Sequence, residues 1–279
     1  MFDFSRNQKQ IIQKNNPTNN NPIVRHNTIL IKAPKVVFLL NQPTIIEKKI
    51  QPIVPLKIFQ TWFSKELPPL MQKCINELKI NNPEFEFLLF DDNECRSFIE
   101  TNFDEEVVKA FDTLIPGAYK ADLWRYCVLY IHGGIYLDVK YKCVNDFRLI
   151  SLTENEWFVK DMETSGKGIY NALMVSKPRN PLYKQFIDKV VYNVQNRYYG
   201  ESSLSPTGPN MLKQFFTQRT IENLQLIHVF QGGYCIFDTR TSRPILKIYD
   251  HYRADQRNHT NNKKYYSTMW DRNEIYSDD

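Results

Sequence analysis

The sequence predicts an α/β protein in which a central, mostly parallel sheet is flanked by helices. Two observations carry this prediction. From about residue 55 onward, short apolar runs of strand length alternate with longer segments in which apolar residues recur at helical spacing. A hydrophobic content of 42% and a charged content of 24% are those of an ordinary globular protein.

The chain of 279 residues is long enough for one sizeable core, and its composition changes along its length. Residues 1–53 are predicted to be a polar leader and N-terminal extension, because Asn, Gln and Lys dominate its first part. The short apolar patches before residue 53 could add strands to the main domain or mediate assembly. Residues 54–279 are predicted to form the main domain, and the sequence leaves the oligomeric state open.

Composition and charge exclude several classes of function. The net charge of +5 is spread along the chain, which argues against a nucleic-acid partner, whose recognition needs clustered Lys and Arg. No apolar run reaches the roughly 18 residues of a membrane span, and the first ten residues lack the apolar region of a signal peptide, so a cytoplasmic location is expected. The five cysteines form no CxxC pair, which predicts free, mostly buried thiols.

Each element follows from periodicity and from the turn residues around it. The expected strands are at 56–62, 85–90, 135–140, 156–160, 172–176, 224–230 and 234–237. The expected helices are at about 67–78, from Asp92 through Phe98 and Ile99, at about 104–114, 119–132 and 182–195, and from Pro209 to about Gln218. The polar and aromatic end at 249–270 is expected to be mobile.

Polar and aromatic residues follow several of the predicted strands. In sheets of this kind, ligands bind beyond the carboxyl ends of the strands. Trp62, the pair Asp91 and Asp92, and Asp138 are therefore expected at the ligand-binding edge. Asp91 and Asp92 can also cap the helix that follows them.

The stretch from Tyr119 to Lys142 combines a helix, a Gly-Gly stop and a short strand. Gly133 and Gly134 supply the left-handed backbone that commonly ends a helix. Asp122 and Arg125 lie one turn apart, on a different face from the apolar row of this helix. Taken alone, they could be an exposed ion pair that stabilises the helix by about 0.2–0.5 kcal/mol.

Asp138 is followed two positions later by Lys140. Positions i and i+2 of a strand share a face, so two acids at this spacing can hold a hard cation that neutralises a departing diphosphate. With Lys140 in the second position, the local pattern favours a solvated strand end over a metal site. The five scattered histidines suggest no Ser-His-Asp or Cys-His arrangement, and His132 is expected to be a cation at the helix end.

Several short segments together resemble the DXD-type sugar transferases of glycosyltransferase family 32, which include initiating α-1,6-mannosyltransferases and capsular polysaccharide enzymes. The resemblance runs from about Pro55 to Trp270. The segments are PLKIFQTWF, NPEFEFLLFDDNECRSFI, ADLWRY, GGIYLD, Asn171 with the following ALMVSKPRNP, PTGP, and the closing STMW. The second Asp of the family's DXD motif is replaced here by Lys140.

The resemblance implies a GT-A-like nucleotide-sugar-binding fold. It also implies transfer of a hexose from a UDP- or GDP-linked sugar to a hydroxyl of a glycan or protein acceptor, with retention of anomeric configuration. Retention without a carboxylate nucleophile would mean attack from the front face, with the departing phosphate oxygen as the base. The alternative is a catalytically impaired nucleotide-sugar-binding or glycan-binding protein that kept the fold.

The matched segments also imply a role for each site residue. Trp62 would stack on the donor base, although a core position suits a Trp nearly as well. Asp122 and Arg125 would hold the donor sugar and its phosphate. Asn171 would lie near that sugar, or would cap a turn.

The remaining implied roles concern the diphosphate. Asp138 would act in catalysis and would bind Mn²⁺ or Mg²⁺. Trp270, with Thr268 or Ser267, would belong to a C-terminal element that folds over the diphosphate, unless Trp270 only anchors the tail.

Lys140 leaves the role of the metal open. Its ammonium could bind the diphosphate directly and take over part of the cation's work in catalysis. The cation could instead remain on Asp138 and gain an oxygen ligand from the C-terminal segment, where Asp255 and Asp271 are available. A third hypothesis is that the change has removed catalysis.

Overall fold

A computed structural model describes residues 50–162, 168–260 and 265–278. The strands of these residues are β1 (Lys57–Thr61), β2 (Glu86–Phe90), β3 (Gly134–Leu137), β4 (Tyr141–Cys143), β5 (Trp157–Asp161), β6 (Gly168–Ser176), β7 (Leu226–Phe230), β8 (Tyr234–Asp238) and β9 (Arg243–Ile248). Within the described part of the chain they form one sheet of nine strands, in the order β2-β1-β3-β6-β5-β7-β8-β9-β4.

The sheet is mixed, so the prediction of a mostly parallel sheet is wrong. Only β1–β2, β1–β3 and β5–β7 pair in parallel among the described strands, and the other five pairings are antiparallel. The reason is the length of the connections. A helix joins β1 to β2, whereas the short connections between β7, β8 and β9 allow only antiparallel hairpins.

The helices are α1 (Pro69–Asn81), α2 (Asp92–Asn102), α3 (Glu105–Thr113), α4 (Gly117–His132), α5 (Pro181–Gln195), α6 (Pro209–Leu212), α7 (Gln218–Glu222), α8 (Tyr252–Thr260) and α9 (Tyr266–Asp271). The predicted architecture of a large central sheet flanked by helices is confirmed. The predictions for α1 to α5 and for seven of the strands agree with it to within a few residues, except at Asp138 to Lys140. Strands β4 and β9 were not predicted.

Two predictions in the C-terminal part are wrong. The helix from Pro209 ends at Leu212 and is followed by a 3₁₀ turn at Lys213–Phe215. This turn lets the neighbouring Phe215 and Phe216 both contact Phe186, at ring distances of 5.1 and 6.4 Å. The end expected to be mobile contains α8 and α9, which are anchored by apolar side chains buried at Tyr252 and Met269.

Local interactions at the ends of α2 and α4 explain where these helices start and stop. The Asp91 carboxylate accepts a hydrogen bond from the Glu94 N–H at 2.9 Å, and the Glu94 side chain bonds back, so the predicted cap is confirmed. Gly133 has a φ of +61°, and a Cβ there would lie 2.5 Å from the Pro178 nitrogen. His132 lies in the last turn of α4, as predicted, and stacks on Phe59. Burial and the charge of Lys57 lower the pKa of its imidazole, which opposes the expected positive charge.

The sheet separates two apolar clusters. Neighbouring residues of β1 show this, because Phe59 packs into the cluster that contains α4 and α5 while Ile58 packs into the cluster on the opposite face. Strand β3 is buried along its whole length. The residues that follow β3 therefore continue from a strand whose two faces pack into the two apolar clusters.

The sheet also curls strongly. Strands β3 and β4 are six strand positions apart in the sheet, which would be roughly 29 Å in a flat sheet. Only residues 138–140 connect them, and a connection of this length spans roughly 14 Å at most. The sheet must therefore bend back until its last strand approaches its third, and the Tyr141 and Tyr170 hydroxyls, on β4 and β6, lie 2.8 Å apart.

The predicted leader and extension lie largely outside the described residues, so the division at residue 53 stays a prediction. Near that boundary, the N–H groups of Ile53 and Val54 donate to the Thr153 carbonyl at 2.8 and 3.1 Å. In the described ranges, no helix combines the length and apolarity needed to cross a membrane.

Candidate functional site

A cleft of about 1050 Å³ opens at the carboxyl ends of β1 and β3. This volume suits a nucleotide-sized or larger ligand. Five predicted site residues besides Trp62 line it: Asp122, Arg125, Asp138, Lys140 and Asn171. Asp92 also lines it, whereas Asp91 is used in the cap of α2.

Helix α4 presents Asp122 and Arg125 to the floor of this cleft. The Arg125 Nη2 atom lies 3.2 Å from Asp122 Oδ1. Only 8% of Asp122 and 5% of Arg125 is exposed, so the alternative of an exposed surface ion pair is wrong. The face that carries them looked separate from the apolar face, but the middle of α4 is buried on all sides.

Asp122 is held by neutral donors from two other segments. Its Oδ1 accepts a hydrogen bond from the Asn171 amide at 2.9 Å, and its Oδ2 accepts one from the Thr207 hydroxyl at 2.7 Å. Burial raises the pKa of Asp122, and the charge of Arg125 and these two hydrogen bonds oppose that rise. A Cβ at Gly208 would lie only 3.4 Å from Asp122 Oδ2, so the glycine lets the backbone approach closely.

Asp138 and Lys140 meet through a turn. The sequence placed them on one face of a strand, but β3 ends at Leu137, and the Tyr141 N–H bonds back to the Asp138 carbonyl at 3.2 Å. Lys140 Nζ donates to Asp138 Oδ2 at 2.6 Å, and the Tyr136 hydroxyl donates to Asp138 Oδ1 at 2.8 Å. Burial alone would raise the pKa of Asp138, but the charges of Lys140 and Arg125 outweigh it and lower that pKa.

Arg125 joins the two carboxylates. Its Nη1 lies 3.5 Å from Asp138 Oδ1 and donates to the Asn171 carbonyl at 2.7 Å, while its guanidinium lies 4.3 Å above the Tyr136 ring. Burial would lower the pKa of Arg125, but Tyr136 and the two carboxylates raise it. Asp122, Arg125, Asp138 and Lys140 thus form a charged cluster with two acids and two cations, whose formal charge is zero.

A divalent cation does not fit this charged cluster. Both oxygens of Asp138 already bind protein donors, and one of these donors is the Lys140 ammonium. A neutral cluster gives little attraction for a doubly charged ion. Nowhere in the described ranges do three or more His, Cys, Asp or Glu side chains lie together in a way that could hold a metal.

The C-terminal segment does not bring the predicted acids to the cleft. Asp255 accepts a hydrogen bond from the Tyr249 hydroxyl at 2.9 Å, and neither Asp255 nor Asp271 is among the described residues that line the cleft. Arg253 of α8 does line it. This segment therefore adds a cation to the cleft in place of the expected oxygen ligand.

The predicted donor-binding aromatics differ in their placement. Trp62 lines the cleft beside Phe63, at a ring distance of 5.0 Å, and is also packed into a core cluster. Thr268 and Trp270 are not among the described residues that line the cleft, and the Trp270 indole donates to the Tyr199 carbonyl at 2.8 Å. This contact fits the alternative in which Trp270 anchors the tail, and the predicted ligand-binding roles stay predictions.

Sequence reasoning missed several residues of this site. Thr207 lies in the PTGP segment, which was noted as a match, but nothing in the spacing pointed to Asp122. Arg253 and Tyr252 lie in the segment expected to be mobile. Asp161 and His228 are brought to the cleft by strands 67 positions apart, and no local pattern connects them.

Residues 68–162 match the family model described as a glycosyltransferase sugar-binding region containing a DXD motif. This region of the chain is similar to that glycosyltransferase family. It contains all four residues of the charged cluster. The match confirms the predicted class of enzyme and the predicted family resemblance.

Similar proteins carry related names. An uncharacterised glycosyltransferase of Acanthamoeba polyphaga mimivirus is 29% identical over 177 residues, which are 61% of this chain and 68% of that protein. Inositol phosphoceramide mannosyltransferase 2 of Schizosaccharomyces pombe is 31% identical over 150 residues, 52% of this chain and 41% of that protein. The initiation-specific alpha-1,6-mannosyltransferase of Candida albicans is 30% identical over 91 residues, 30% and 24% of the two chains.

Because these matches cover only part of each relative, they limit which properties of the relatives can be assigned to this chain. The chain spans less than half of the two fungal proteins and about two thirds of the viral one. Glycosyl transfer is the activity that the names share, and the acceptors in the fungal names belong to those proteins.

Proposed function

We propose that this protein transfers a hexose from a nucleotide diphosphosugar to an acceptor hydroxyl, with retention of configuration and with Lys140 in the place of a metal ion. The observation that carries the proposal is the buried charged cluster in the floor of the cleft. A UDP- or GDP-linked sugar fits its chemistry, and mannose is the first hexose to test, because mannosyltransferases occur among the relatives.

Each part of the donor has a partner in the cleft. Lys140 and Arg125 supply positive charge for the diphosphate, and Arg253 adds a third cation from α8. Asp122, fixed by Asn171 and Thr207, can accept hydrogen bonds from sugar hydroxyls. Trp62 offers a ring on which a base could stack.

The reaction follows from these groups. The bond between the anomeric carbon and the diphosphate oxygen breaks, and its electron pair stays on that oxygen. The acceptor oxygen bonds to the anomeric carbon from the same face and gives its proton to the departing phosphate oxygen. Asp122 and Asp138 are both held in ion pairs, which favours this front-face route over a carboxylate nucleophile.

Lys140 and Arg125 stabilise the charge that grows on the departing diphosphate. Fixed charges in a closed site supply the largest contribution to catalysis in many enzymes. Because Lys140 is already paired with Asp138 at 2.6 Å, it is held in place before the donor arrives. This arrangement supports a reaction that needs no divalent cation.

The test is hydrolysis and transfer from GDP-mannose, UDP-glucose, UDP-galactose and UDP-N-acetylglucosamine, measured as released nucleotide. We expect turnover of at least one donor with excess chelator, and little gain from Mn²⁺. Complete loss of turnover with chelator would contradict the lysine hypothesis and restore the metal hypothesis.

One observation favours a second candidate, a nucleotide-sugar-binding or glycan-binding protein without turnover. The Lys140 ion pair occupies Asp138, the carboxylate to which the family resemblance assigns a metal. Asp138→Asn separates the two functions. An enzyme should lose about 10²- to 10³-fold in turnover, as for loss of one preorganised charge contact, whereas a binder has no turnover to lose.

The acceptor class and the location of the protein remain predictions. The acceptor hydroxyl belongs to a glycan or a protein, and the expected cytoplasmic location rests on the sequence alone.

A further inference from the structure

The two neutral donors that hold Asp122 come from distant parts of the chain. Asn171 lies on β6 and donates to Oδ1 at 2.9 Å, and Thr207 lies just before α6 and donates to Oδ2 at 2.7 Å. They are 49 and 85 positions away from Asp122. Both can hold the carboxylate in one orientation only if β6 and the segment before α6 keep a fixed separation.

Tyr126 links these two donors. It lies one turn after Asp122 on α4, and its side chain is fully buried. Its hydroxyl donates to the Thr207 carbonyl at 2.8 Å and accepts a hydrogen bond from the Asn171 amide nitrogen at 3.0 Å. Because that nitrogen also donates to Asp122, the residues Asp122, Asn171, Tyr126 and Thr207 form a closed hydrogen-bond ring.

The hydrogen-bond ring lies partly in the cleft and partly behind it. Asp122 and Asn171 line the cleft, whereas Tyr126 and Thr207 are not among the described residues that do so. Tyr126 and Thr207 are both fully buried. A ligand in the cleft therefore touches Asp122 and Asn171, and Tyr126 acts on that ligand only through them.

The segment that carries Thr207 depends on contacts of this kind. Residues 198–208 form neither helix nor strand, so side chains that donate to their backbone carbonyls fix their position. Five carbonyls are bound in this way: Tyr198 by Tyr276, Tyr199 by Trp270, Ser203 by Tyr119, Pro206 by Asn193 and Thr207 by Tyr126. Of these donors, Tyr126 also bonds Asn171, and it therefore joins this segment to β6.

We infer that Tyr126 is a positioning residue for the donor sugar: its hydroxyl keeps Asn171 and Thr207 against Asp122, and so keeps the Asp122 carboxylate aimed at a sugar hydroxyl. Tyr126 does not touch the donor and takes no part in breaking its bond. Without the hydroxyl, Asn171 and Thr207 can shift, and hydrogen bonds weaken steeply when their geometry is lost. This inference rests on the proposed function and deepens it, because it adds a residue behind the cleft that affects the sugar and not the nucleotide.

The test is Tyr126→Phe, which removes the hydroxyl and keeps the ring that packs on Phe186 at 5.5 Å. Calorimetry compares GDP-mannose with GDP, and UDP-glucose, UDP-galactose and UDP-N-acetylglucosamine with UDP. For the nucleotide sugar that the wild-type protein binds most tightly, Kd should rise about tenfold, as for loss of one hydrogen bond to a charged group. Kd of its nucleoside diphosphate should stay within about twofold. Partial unfolding would lower the number of binding sites and leave the ratio of the two Kd values unchanged.

Tyr183→Phe is the matched control. Tyr183 is also fully buried and packs on Phe186, at 5.4 Å, but it is not among the described residues that line the cleft. This variant should leave both Kd values unchanged. A rise in the Kd ratio equal to that of Tyr126→Phe would overturn the inference, because loss of any buried hydroxyl would then have the same effect.

Thr207→Val opens the same hydrogen-bond ring at another point and also serves if Tyr126→Phe does not fold. It should raise the Kd ratio of nucleotide sugar to nucleoside diphosphate in the same direction. The double variant should bind the nucleotide sugar no more than about twofold more weakly than the weaker single variant, because both changes act through one carboxylate. Fully additive effects, or a ratio that Thr207→Val leaves unchanged, would contradict a shared ring.

Binding and turnover together separate this inference from the proposed function. A Kd ratio that rises in Tyr126→Phe, with no nucleotide released from any donor by the wild-type protein, would reject transfer and keep the positioning role. Turnover by the wild-type protein, with an unchanged ratio in Tyr126→Phe, would keep the enzyme and overturn the positioning role. A wild-type protein that binds none of these nucleotides would overturn both.

Discussion

The two sides of the cleft are built from different kinds of sequence neighbours. The charged cluster comes from residues three positions apart on α4 and two positions apart after β3. The stacked rings of Tyr170, His228 and Tyr234 come from β6, β7 and β8, and His228 pairs with Asp161, which is 67 positions away. The first side is a local arrangement supported by the core, and the second exists only once the sheet has formed.

This difference indicates which part of the cleft can be shared among members of a family. All of the charged cluster lies within the matched residues 68–162, whereas Tyr170, His228 and Tyr234 lie beyond them. A side of the cleft that handles a common donor can be shared among relatives. Residues outside the matched region are free to differ among relatives, which agrees with the location of specificity in variable parts of a fold.

The largest expected effect comes from breaking the charge balance of the charged cluster. Lys140→Asp gives three acids and one arginine at the cluster, a formal charge of −2 that suits a divalent cation. Without metal, turnover should fall by about 10²-fold, because the acid repels the diphosphate. With Mn²⁺ it should recover, and 100 Kd of Mn²⁺ should stabilise the variant by about 2.7 kcal/mol in thermal unfolding.

Lys142→Asp is the matched control for that variant. Lys142 also lies near the turn after β3, but its ammonium is 3.6 Å from Asp250 on the surface. This variant should keep metal-independent turnover and gain no stability from Mn²⁺. If Lys140→Asp stays independent of metal, the charge argument is wrong.

An intermediate effect should follow loss of the Thr207 hydroxyl. Thr207→Val keeps the shape of the side chain but leaves the buried Asp122 carboxylate without one donor, which costs about 1–3 kcal/mol in the free energy of unfolding. The pKa of Asp122 should rise further, because this hydrogen bond lowers it. Urea unfolding and the pH dependence of turnover measure the two effects.

Thr153→Val provides the comparison. Thr153 is also fully buried, and its hydroxyl donates to the Ile150 carbonyl at 2.7 Å away from the cleft. A similar loss of stability with unchanged turnover is expected. Equal effects of both substitutions on turnover would show that Thr207 acts only through the stability of the fold.

The smallest expected effect is a pH dependence of stability. The pKa of Asp138 is lower in the folded protein than its ordinary value of 3.8, so the folded state holds this proton less tightly than the unfolded chain. Its stabilising contribution is therefore complete above about pH 5 and is lost as the pH falls through the lowered folded value. The difference in free energy of unfolding between wild type and Asp138→Asn should be constant from neutral pH to about pH 5 and then shrink. A difference that grows on acidification would reverse the assigned direction.

The sequence predicted the elements with strong periodicity and the residues joined by short spacings. The capping box at Asp91, the glycines after α4, and the proximity of Asp122 to Arg125 all follow from interactions within a few positions. Strand direction did not follow, because apolar runs look the same in parallel and antiparallel pairs. Strand β9 was missed because its burial depends on pairing with β8 and β4.

At the site, the sequence did not predict how deeply Asp122 and Arg125 are buried. Asp122 and Arg125 looked like an exposed pair, since the helical pattern cannot show that α5, the PTGP segment and the sheet cover the polar face of α4 as well. The sequence predicted Lys140 near Asp138 because both were expected on one face of a strand, but the two residues lie in a turn. Its actual position depends on the turn and on the Tyr249 N–H, which bonds to the Lys140 carbonyl at 2.9 Å.

The curled sheet has a consequence for the order in which parts of this protein can fold during synthesis. The turn that carries Asp138 and Lys140 emerges midway through translation, but β9 and Tyr249, which hold its far side, emerge about a hundred residues later. A nascent chain released before that point would contain the whole matched family region and still lack the strand that fixes Lys140. The contacts of Lys140 with this last part of the sheet can therefore form only after β9 and Tyr249 have been synthesised.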